Sequence, residues 1–258
     1  MRDYHVHSNY SDGRFIPAMV GAASEAGLDA VGIADHCNVS AREGPRAARA
    51  KLGFNLDRTY ERRRRGIEQV REAADVAVYD AVEMDYAPAD EGRIADFLAE
   101  ADFDYAVGSV HEVRGLNVQR PSNFAGMADA ELDAVVDEYF DALVALAESE
   151  LFDVAAHPDL IERVPPLRGR ATAAHYRRAA AAFADSRTVP EINAGRALRE
   201  EALVHPSPAF LDALCDRGVG LTVGTDSHAP GEIGERAAFL DGFLADRGIE
   251  PVAPPALQ

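Results

Sequence analysis

Short, largely apolar segments alternate with amphipathic ones along the whole sequence, and this alternation constrains the possible fold most strongly. Such segments are typical of parallel strands that are covered by helices. The predicted strands are Asp3–His7, Ala30–Ala34, Val76–Met84, Tyr105–Val110, Val154–Ala156, Thr188–Ile192 and Gly220–Gly224. The predicted helices that follow them are Ile16–Ala26, Leu56–Ala74, Glu91–Ala101, Ala128–Ser149, Ala171–Ala184, Pro208–Arg217 and Glu232–Ala245. Seven βα units predict an α/β barrel or a doubly wound sheet.

The composition predicts a single globular domain that spans residues 1–258. Apolar residues make up 47% of the chain, and this length suits one α/β barrel with a substantial core. No apolar run approaches the ~20 residues that a membrane-spanning helix needs. We find no signal peptide, so we expect a cytoplasmic protein that has no membrane partner.

The chain is strongly acidic, with a formal net charge of -18. This charge argues against nucleic acid as the main partner, because phosphate backbones would be repelled. All basic residues except Lys51 are arginines, and an acidic, lysine-poor composition resembles that of halophilic proteins. The arginine run Arg62–Arg65 is predicted to be an exposed helix face, as charge runs usually are.

Metal-binding residue types occur at the carboxyl ends of most predicted strands. His5 and His7 alternate along the first strand and therefore share one face. In a (β/α) barrel the carboxyl ends of the strands form a single face that carries the active site. The residues placed there are His5, His7, Asp35, His36, Glu83, His111, His157, Asp226 and His228.

Imidazole and carboxylate ligands suit zinc, manganese or iron. The set is too large for one tetrahedral ion, so it predicts two or three divalent ions, with Glu83 well placed to bridge them. Clustered divalent ions lower the pKa of a bound water and hold the oxygens of a phosphoryl group. Such local positive charge would also attract an anion to an acidic protein, so we expect a small phosphorylated substrate.

Taken in order, these motifs resemble the PHP family, which is named for polymerase and histidinol phosphatase. The resemblance covers nearly the whole chain and implies a distorted (β/α)7 TIM-like barrel. The matching segments are Tyr4–His7, Ser11–Gly13, Gly32–His36, Val82–Tyr86, Gly108–His111, Ala156–Asp159, Glu191–Asn193 and Gly224–His228.

The resemblance implies three metal sites. Their ligands would be His5, His7, Glu83 and Asp226 for the first ion, Glu83, His111 and His157 for the second, and Asp12, His36 and His228 for the third. Asp12 departs from the family pattern, because some members have histidine at this position. Asp35 is expected to support His36 by hydrogen bonding rather than to bind an ion itself.

Within the family, three segments resemble the histidinol-phosphate phosphatases. They are Ala156–Ile161, Glu191–Asn193 and Gly224–Pro230. This resemblance implies hydrolysis of histidinol phosphate to histidinol and phosphate, a step of histidine biosynthesis. It also implies that arginines hold the substrate phosphate, with Arg163 and either Arg199 or Arg196 as candidates. Glu83 would bridge two ions, and Asp226 or a nearby acid would transfer a proton.

Three alternatives are compatible with parts of the pattern. A metal-dependent amidohydrolase also opens with two histidines on its first strand, but Lys51 is misplaced for the modified lysine that bridges its binuclear forms. Another PHP phosphoesterase would act on nucleotides or other small phosphate esters. A non-catalytic or polymerase-associated PHP module would be expected to have lost ligands.

Overall fold

Ten strands and eight α-helices alternate along residues 1–258, all of which the computed structural model describes. The strands are β1 (Arg2–Val6), β2 (Ala30–Cys37), β3 (Ala77–Asp85), β4 (Tyr105–Ser109), β5 (Glu112–Val113), β6 (Leu116–Asn117), β7 (Val154–Ala155), β8 (Val189–Arg196), β9 (Leu203–His205) and β10 (Thr222–Gly224). The helices are α1 (Ile16–Glu25), α2 (Glu43–Leu52), α3 (Leu56–Arg71), α4 (Glu91–Ala101), α5 (Asp129–Glu148), α6 (Ala173–Ala184), α7 (Pro208–Cys215) and α8 (Pro230–Arg247). None of these helices combines the length and the hydropathy needed to span a membrane.

Seven parallel strands form the centre of the fold in the order β1-β2-β3-β4-β7-β8-β10. The first and last of them meet through a parallel bridge between Val6 and Ser227. The backbone N–H of His7 donates to the Ser227 carbonyl at 2.9 Å, and the N–H of Asp226 donates to the His5 carbonyl at 2.8 Å. The sheet therefore curls into a (β/α)7 barrel, and the predicted fold class is confirmed.

The barrel interior is packed with side chains below the polar strand ends. Tyr105 is buried there, and its hydroxyl donates to the Tyr4 carbonyl at 2.6 Å. The packed residues are Tyr4, Ala34, Ala81, Tyr105, Val107, Val154 and Ala156. This apolar layer separates the other end of the barrel from the cluster of histidines and carboxylates at the carboxyl ends of the strands.

Several elements differ from the sequence-based expectation. The strand β2 continues to Cys37 instead of ending at Ala34, because its pairing with β3 extends to Cys37 opposite Met84. His36 therefore lies within the strand rather than after it. The strand β8 likewise extends to Arg196, beyond the predicted end at Ile192, where the short strand β9 pairs with it antiparallel. The helix α2 and the β5–β6 hairpin were not predicted.

Candidate metal centre

Six barrel strands bring the predicted ligands to one face of the barrel. His5 and Glu83 lie within β1 and β3, whereas His111, His157 and Asp226 each lie two residues beyond the end of a strand. The remaining predicted ligands are His7, just past β1, Asp12 in the following loop, His36 near the end of β2, and His228 in the loop after β10. Strand-end placement therefore brings together side chains from distant parts of the sequence.

The fully buried carboxylate of Glu83 lies at the middle of the cluster. The ring nitrogens around its oxygens are His36 Nδ1 at 2.7 Å, His157 Nε2 at 3.1 Å, His5 Nε2 at 3.4 Å, His111 Nε2 at 3.5 Å and His7 Nε2 at 3.6 Å. Burial alone would raise the pKa of this carboxyl, but the surrounding imidazoles outweigh burial and hold the pKa well below its usual range. Glu83 is therefore an ionised carboxylate whose two oxygens face different imidazoles.

A second group of potential ligands surrounds Asp12 at the outer edge of the cluster. Its Oδ1 lies 3.3 Å from His228 Nε2 and 3.8 Å from both His7 Nδ1 and His36 Nε2. The structure thus brings together the three residues of the third predicted site and places His7 beside them.

The other two predicted sites are also assembled, with one difference in grouping. His5, His7 and Glu83 form one group, and Asp226 Oδ1 approaches it to 3.3 Å from His7 Nε2. The second group pairs Glu83 and His111 with His36 rather than with His157. His157 nevertheless contacts Glu83, because its Nε2 lies 3.1 Å from Oε1, the oxygen that also faces His111.

Several buried polar atoms in this cluster lack a hydrogen-bond partner. They are Nε2 of His5, His7 and His111, Nδ1 of His157, and Oε2 of Glu83. A buried polar atom without a partner costs free energy, so native proteins rarely retain several in one place. The unpartnered Nε2 atoms of His5, His7 and His111 face the Glu83 carboxylate, and such imidazole nitrogens are suitable ligands for zinc, manganese or iron. The residues present therefore fit a bound metal.

Two carboxylates that were not predicted as functional residues orient the imidazoles. His5 Nδ1 contacts Glu191 Oε1 at 2.8 Å, and His111 Nδ1 contacts Asp85 Oδ1 at 2.6 Å. A carboxylate beside one ring nitrogen favours the proton there, so Nε2 of each ring is left as a metal ligand. The sequence already indicated Asp85, because it lies two residues after Glu83 on β3 and therefore shares the same face of the strand.

Backbone strain marks two of the predicted ligands. Asp226 has a φ of 51° and His157 a φ of 29°, values in the left-handed region that side chains other than glycine rarely adopt. Gly195 packs closely against Asp226, since a Cβ at this glycine would lie 2.5 Å from Asp226 Oδ2. Such strain concentrates at functional sites, where the surrounding structure enforces it.

The comparisons with known proteins agree with this geometry. The PHP domain matches residues 3–195 of the sequence. The chain belongs to the PHP family. This match confirms the family predicted from the motifs.

One curated relative of this PHP chain is a probable histidinol-phosphatase of Deinococcus radiodurans. The two are 28% identical over 167 residues, which is 65% of this chain and 64% of the relative. The match thus spans less than two thirds of the relative's length.

Two solved structures share the fold. A putative histidinol phosphatase of Listeria monocytogenes aligns with a TM-score of 0.73 and 17% identity, over 93% of this chain and 99% of that one. A histidinol phosphate phosphatase of Lactococcus lactis, solved with zinc, L-histidinol and phosphate, aligns with a TM-score of 0.72 and 20% identity. That alignment covers 98% of this chain and 95% of the other. At these identities the two structures bear on the fold alone.

Two predictions about charged residues, Asp35 and Arg63, are wrong. Asp35 does not support His36; it accepts hydrogen bonds from the Ser8 backbone N–H and hydroxyl and from the Ser11 hydroxyl, each at 2.7 Å. Arg63, expected on an exposed helix face, is fully buried and donates to Asp35 at 2.9 Å. These contacts arise because α3 packs against β2 and β3, so that Arg63 points inward and reaches Asp35.

A polar cavity of about 260 Å³ opens directly over the PHP centre. Arg163, Arg196 and Arg199 all line it, together with Asp226 and His157. Burial, followed by the like charges of Arg163 and Arg199, lowers the pKa of Arg196. The structure therefore brings all three predicted arginines to the same cavity, and it does not favour Arg199 over Arg196.

A larger cleft of about 510 Å³ adjoins the other side of His36 and His111. The helix α2 forms one wall, and Arg42 at its start donates to Glu112 at 2.6 Å and to Asp90 at 3.1 Å. The two depressions meet at Asp12, His36, His111 and Gln119. The cleft leaves room for an organic group beside an anion held in the arginine-lined cavity.

Proposed function

We propose that this PHP-family chain is a metal-dependent phosphomonoesterase that hydrolyses histidinol phosphate to histidinol and phosphate. The observation that carries the proposal is the position of Glu83, with five imidazole nitrogens within 3.6 Å of its oxygens beside an arginine-lined cavity. The name of the Deinococcus relative, and the zinc, histidinol and phosphate bound in the Lactococcus structure, support the same substrate.

The proposed metal ligands are the residues that converge on the carboxyl face. They are His5, His7, Asp12, His36, Glu83, His111, His157, Asp226 and His228. Two or three ions of zinc, manganese or iron would share them, with Glu83 between two ions. Bound ions would supply Lewis acidity, which makes water a better nucleophile and neutralises the oxygens of a phosphoryl group.

The remaining chemistry falls to charged side chains of the chain itself. Arg163, with Arg196 or Arg199, would bind the phosphate oxygens and neutralise the charge that develops on them. Burial opposes ionisation of Asp226, but the contact with His7 and the charges of His5 and Arg163 hold its pKa well below the usual range. Asp226 would therefore accept a proton from the attacking water more readily than it would donate one to the departing alkoxide.

The cleft beneath α2 gives the alcohol part of the substrate a place to bind. Its lining includes the carboxylates of Asp85 and Glu112 and the aromatic ring of Phe54, which stacks on His36 with centroids 5.2 Å apart. Four cationic side chains also line it, namely Arg42, Arg49, Lys51 and Arg120. Histidinol carries an amine and an imidazole, and the carboxylates and the aromatic ring are the lining groups suited to bind them.

A panel of phosphate esters tests the substrate. Protein loaded with zinc, manganese or iron would be assayed for phosphate release from histidinol phosphate, a nucleoside monophosphate and p-nitrophenyl phosphate. We expect kcat/KM for histidinol phosphate to exceed the others by about 100-fold or more, because a site that hydrogen-bonds its substrate rejects analogues lacking those groups. Equal or better hydrolysis of the nucleotide would contradict the proposed substrate and favour a different PHP phosphoesterase.

Two ligand variants test the metal requirement. Glu83→Ala and His111→Ala are expected to abolish phosphate release and to reduce the bound metal. His175→Ala is the matched control, since His175 pairs with Asp137 and caps the start of α6, away from the centre. Full activity with a normal metal content in either ligand variant would refute the assignment.

A further inference from the structure

A chain of hydrogen bonds leads from a histidine outside the centre to the cavity arginine. His205, at the end of β9, is fully buried, and its Nδ1 contacts Asp159 Oδ1 at 2.6 Å. On the other side of the ring, Arg163 Nε donates to His205 Nε2 at 2.9 Å. The same guanidinium donates through Nη2 to Asn193 Oδ1 at 3.1 Å and to Asp226 Oδ2 at 3.3 Å.

These contacts determine the tautomer of His205. An arginine Nε can only donate, so His205 Nε2 must be the acceptor, and the proton must lie on Nδ1, which donates to Asp159. An imidazolium ring would have no acceptor for Arg163. Asp159 is held in turn by the backbone N–H of Ser207, which donates to its other oxygen at 2.7 Å.

The acceptors fix the plane of the Arg163 guanidinium. Nε and Nη2 are engaged by His205, Asn193 and Asp226, whereas Nη1 makes no hydrogen bond within the protein. Arg163 also lines the cavity over the cluster. Because the guanidinium is planar and rigid, holding two of its nitrogens sets the direction in which the third can donate.

We propose that His205 is a positioning residue, which, through its Nε2 acceptor, holds Arg163 in the orientation that binds the substrate phosphate. This inference rests on the proposed function in one respect, since it takes Arg163 as a phosphate-binding residue. His205 makes no hydrogen bond to a predicted metal ligand, and its ring lies edge-on to that of His157, with centroids 6.5 Å apart.

A purely structural role for His205 is the competing explanation, because the ring also satisfies the buried carboxylate of Asp159. Two substitutions separate the roles. In His205→Asn the side-chain amide replaces Nδ1 and keeps the donor for Asp159, but it loses the acceptor for Arg163. In His205→Gln the side-chain carbonyl replaces Nε2 and keeps the acceptor for Arg163, but the donor for Asp159 is lost.

The experiment measures inorganic phosphate binding to the zinc-loaded protein by calorimetry, alongside thermal unfolding of each variant. We expect His205→Asn to weaken phosphate binding by about tenfold or more, the effect of losing one hydrogen bond to a charged group. The His205→Gln variant should bind phosphate more tightly than the His205→Asn variant. It should also unfold at a lower temperature than the His205→Asn variant, because it lacks the donor for Asp159. In an Arg163→Met background, His205→Asn should cause no further loss of phosphate affinity.

Three outcomes would overturn the inference. The first is equal phosphate affinity in the Asn and Gln variants, and the second is a full effect of His205→Asn in the Arg163→Met background. The third is a wild-type protein that binds no phosphate, or one whose phosphate affinity does not change with Arg163→Met. None of these readouts uses histidinol phosphate, so preference for another ester would refute the proposed substrate and leave the role of His205 intact.

Discussion

Each ligand imidazole has two ring nitrogens, and the contacts of one nitrogen determine whether the other is free for a metal ion. Glu191 illustrates this, since its Oε1 contacts His5 Nδ1 while its Oε2 accepts from the His157 backbone N–H at 2.9 Å. One carboxylate thereby orients residues from β1 and from the loop after β7. Asp85 likewise orients the ring of His111 through its Nδ1.

Replacing Glu191 by glutamine is expected to weaken zinc affinity by about 10-fold to 100-fold, the usual effect of removing a carboxylate that orients a ligand histidine. Competition with a chromophoric chelator measures the affinity. Asp153→Asn is the control, since Asp153 is a buried carboxylate that accepts from the Ala106 backbone, away from the centre. Unchanged zinc affinity in Glu191→Gln would show that the contact with His5 is incidental.

At the residue scale, sequence reasoning grouped the predicted ligands more readily than it identified the residues that contact them. Strand-end placement was enough to group Glu83 with the histidines, because the barrel geometry fixes where strand ends lie. The partners of Asp35 and Arg63 could not be found in this way, since they depend on which helix packs over which strand. Helical spacing did hold a signal for Arg63, which lies seven residues after Leu56 and four before Ile67, both buried.

At the scale of elements, the helix α3 is attached to the barrel by a buried ion-pair network. Arg63 donates to Asp35 on β2 at 2.9 Å and to Asp80 on β3 at 2.5 Å. Asp35 in turn holds Ser8 and Ser11 in the loop that carries Asp12. The network therefore links helix packing to the position of a predicted metal ligand.

Arg63→Met is expected to lower the free energy of unfolding by about 3–5 kcal/mol, because it leaves the buried carboxylate of Asp35 without its cation, although Asp80 keeps its ion pair with Arg64. Urea denaturation measures this change. The exposed neighbour Arg65 is the control, and Arg65→Met should change stability by no more than about 0.5 kcal/mol. Similar effects at both positions would contradict the assigned network.

The end of β10 has no space for a side chain at Gly224. A Cβ there would lie 1.9 Å from Glu191 Oε1 and 2.5 Å from His5 Cβ. Gly224→Ala should therefore cost about 1–3 kcal/mol of stability by overpacking, and it should also reduce zinc content because both neighbours shift. Gly21→Ala in α1 is the control, where nothing lies within 4 Å and alanine should stabilise the helix by about 0.5–1 kcal/mol. A Gly224→Ala variant with normal stability and zinc content would contradict this packing.

The barrel elements were predictable and some of the connecting elements were not, for physical reasons. The barrel strands are buried and apolar, so their sequence signal is strong. The helix α2 buries only Pro45, so it shows no apolar stripe that would distinguish it from a loop. The strand β9 has three residues, and its pairing with β8 depends on where the intervening loop folds back.

At the scale of the whole molecule, the predicted ligands lie across the point where the barrel closes. His5 and His7 come from the first strand, and Asp226 and His228 follow the last one. Few backbone hydrogen bonds join these two strands, and they lie around the bridge between Val6 and Ser227. Ions shared among these side chains would join the two ends of the sheet.

Removal of metal by a chelator is accordingly expected to lower the unfolding temperature. A ligand present at 100 times its dissociation constant stabilises the folded state by about 2.7 kcal/mol, which corresponds to several degrees for a chain of this size. Differential scanning fluorimetry with and without zinc measures the shift. Glu83→Ala should show a much smaller zinc-dependent shift than the wild type, because it removes a ligand of two of the three proposed ions, whereas His175→Ala should match the wild type. A zinc-dependent shift in Glu83→Ala as large as that of the wild type would locate the stabilising ion elsewhere.

We propose that Glu83 and its surrounding histidines hold metal ions beneath an arginine-lined cavity that binds phosphate. A crystal structure of the metal-loaded protein with phosphate, with anomalous scattering recorded at the metal absorption edges, tests it most directly. We predict two or three anomalous peaks, two of them within bonding distance of Glu83, and a phosphate that contacts Arg163. Anomalous peaks away from Glu83, or a phosphate bound outside this cavity, would contradict the account.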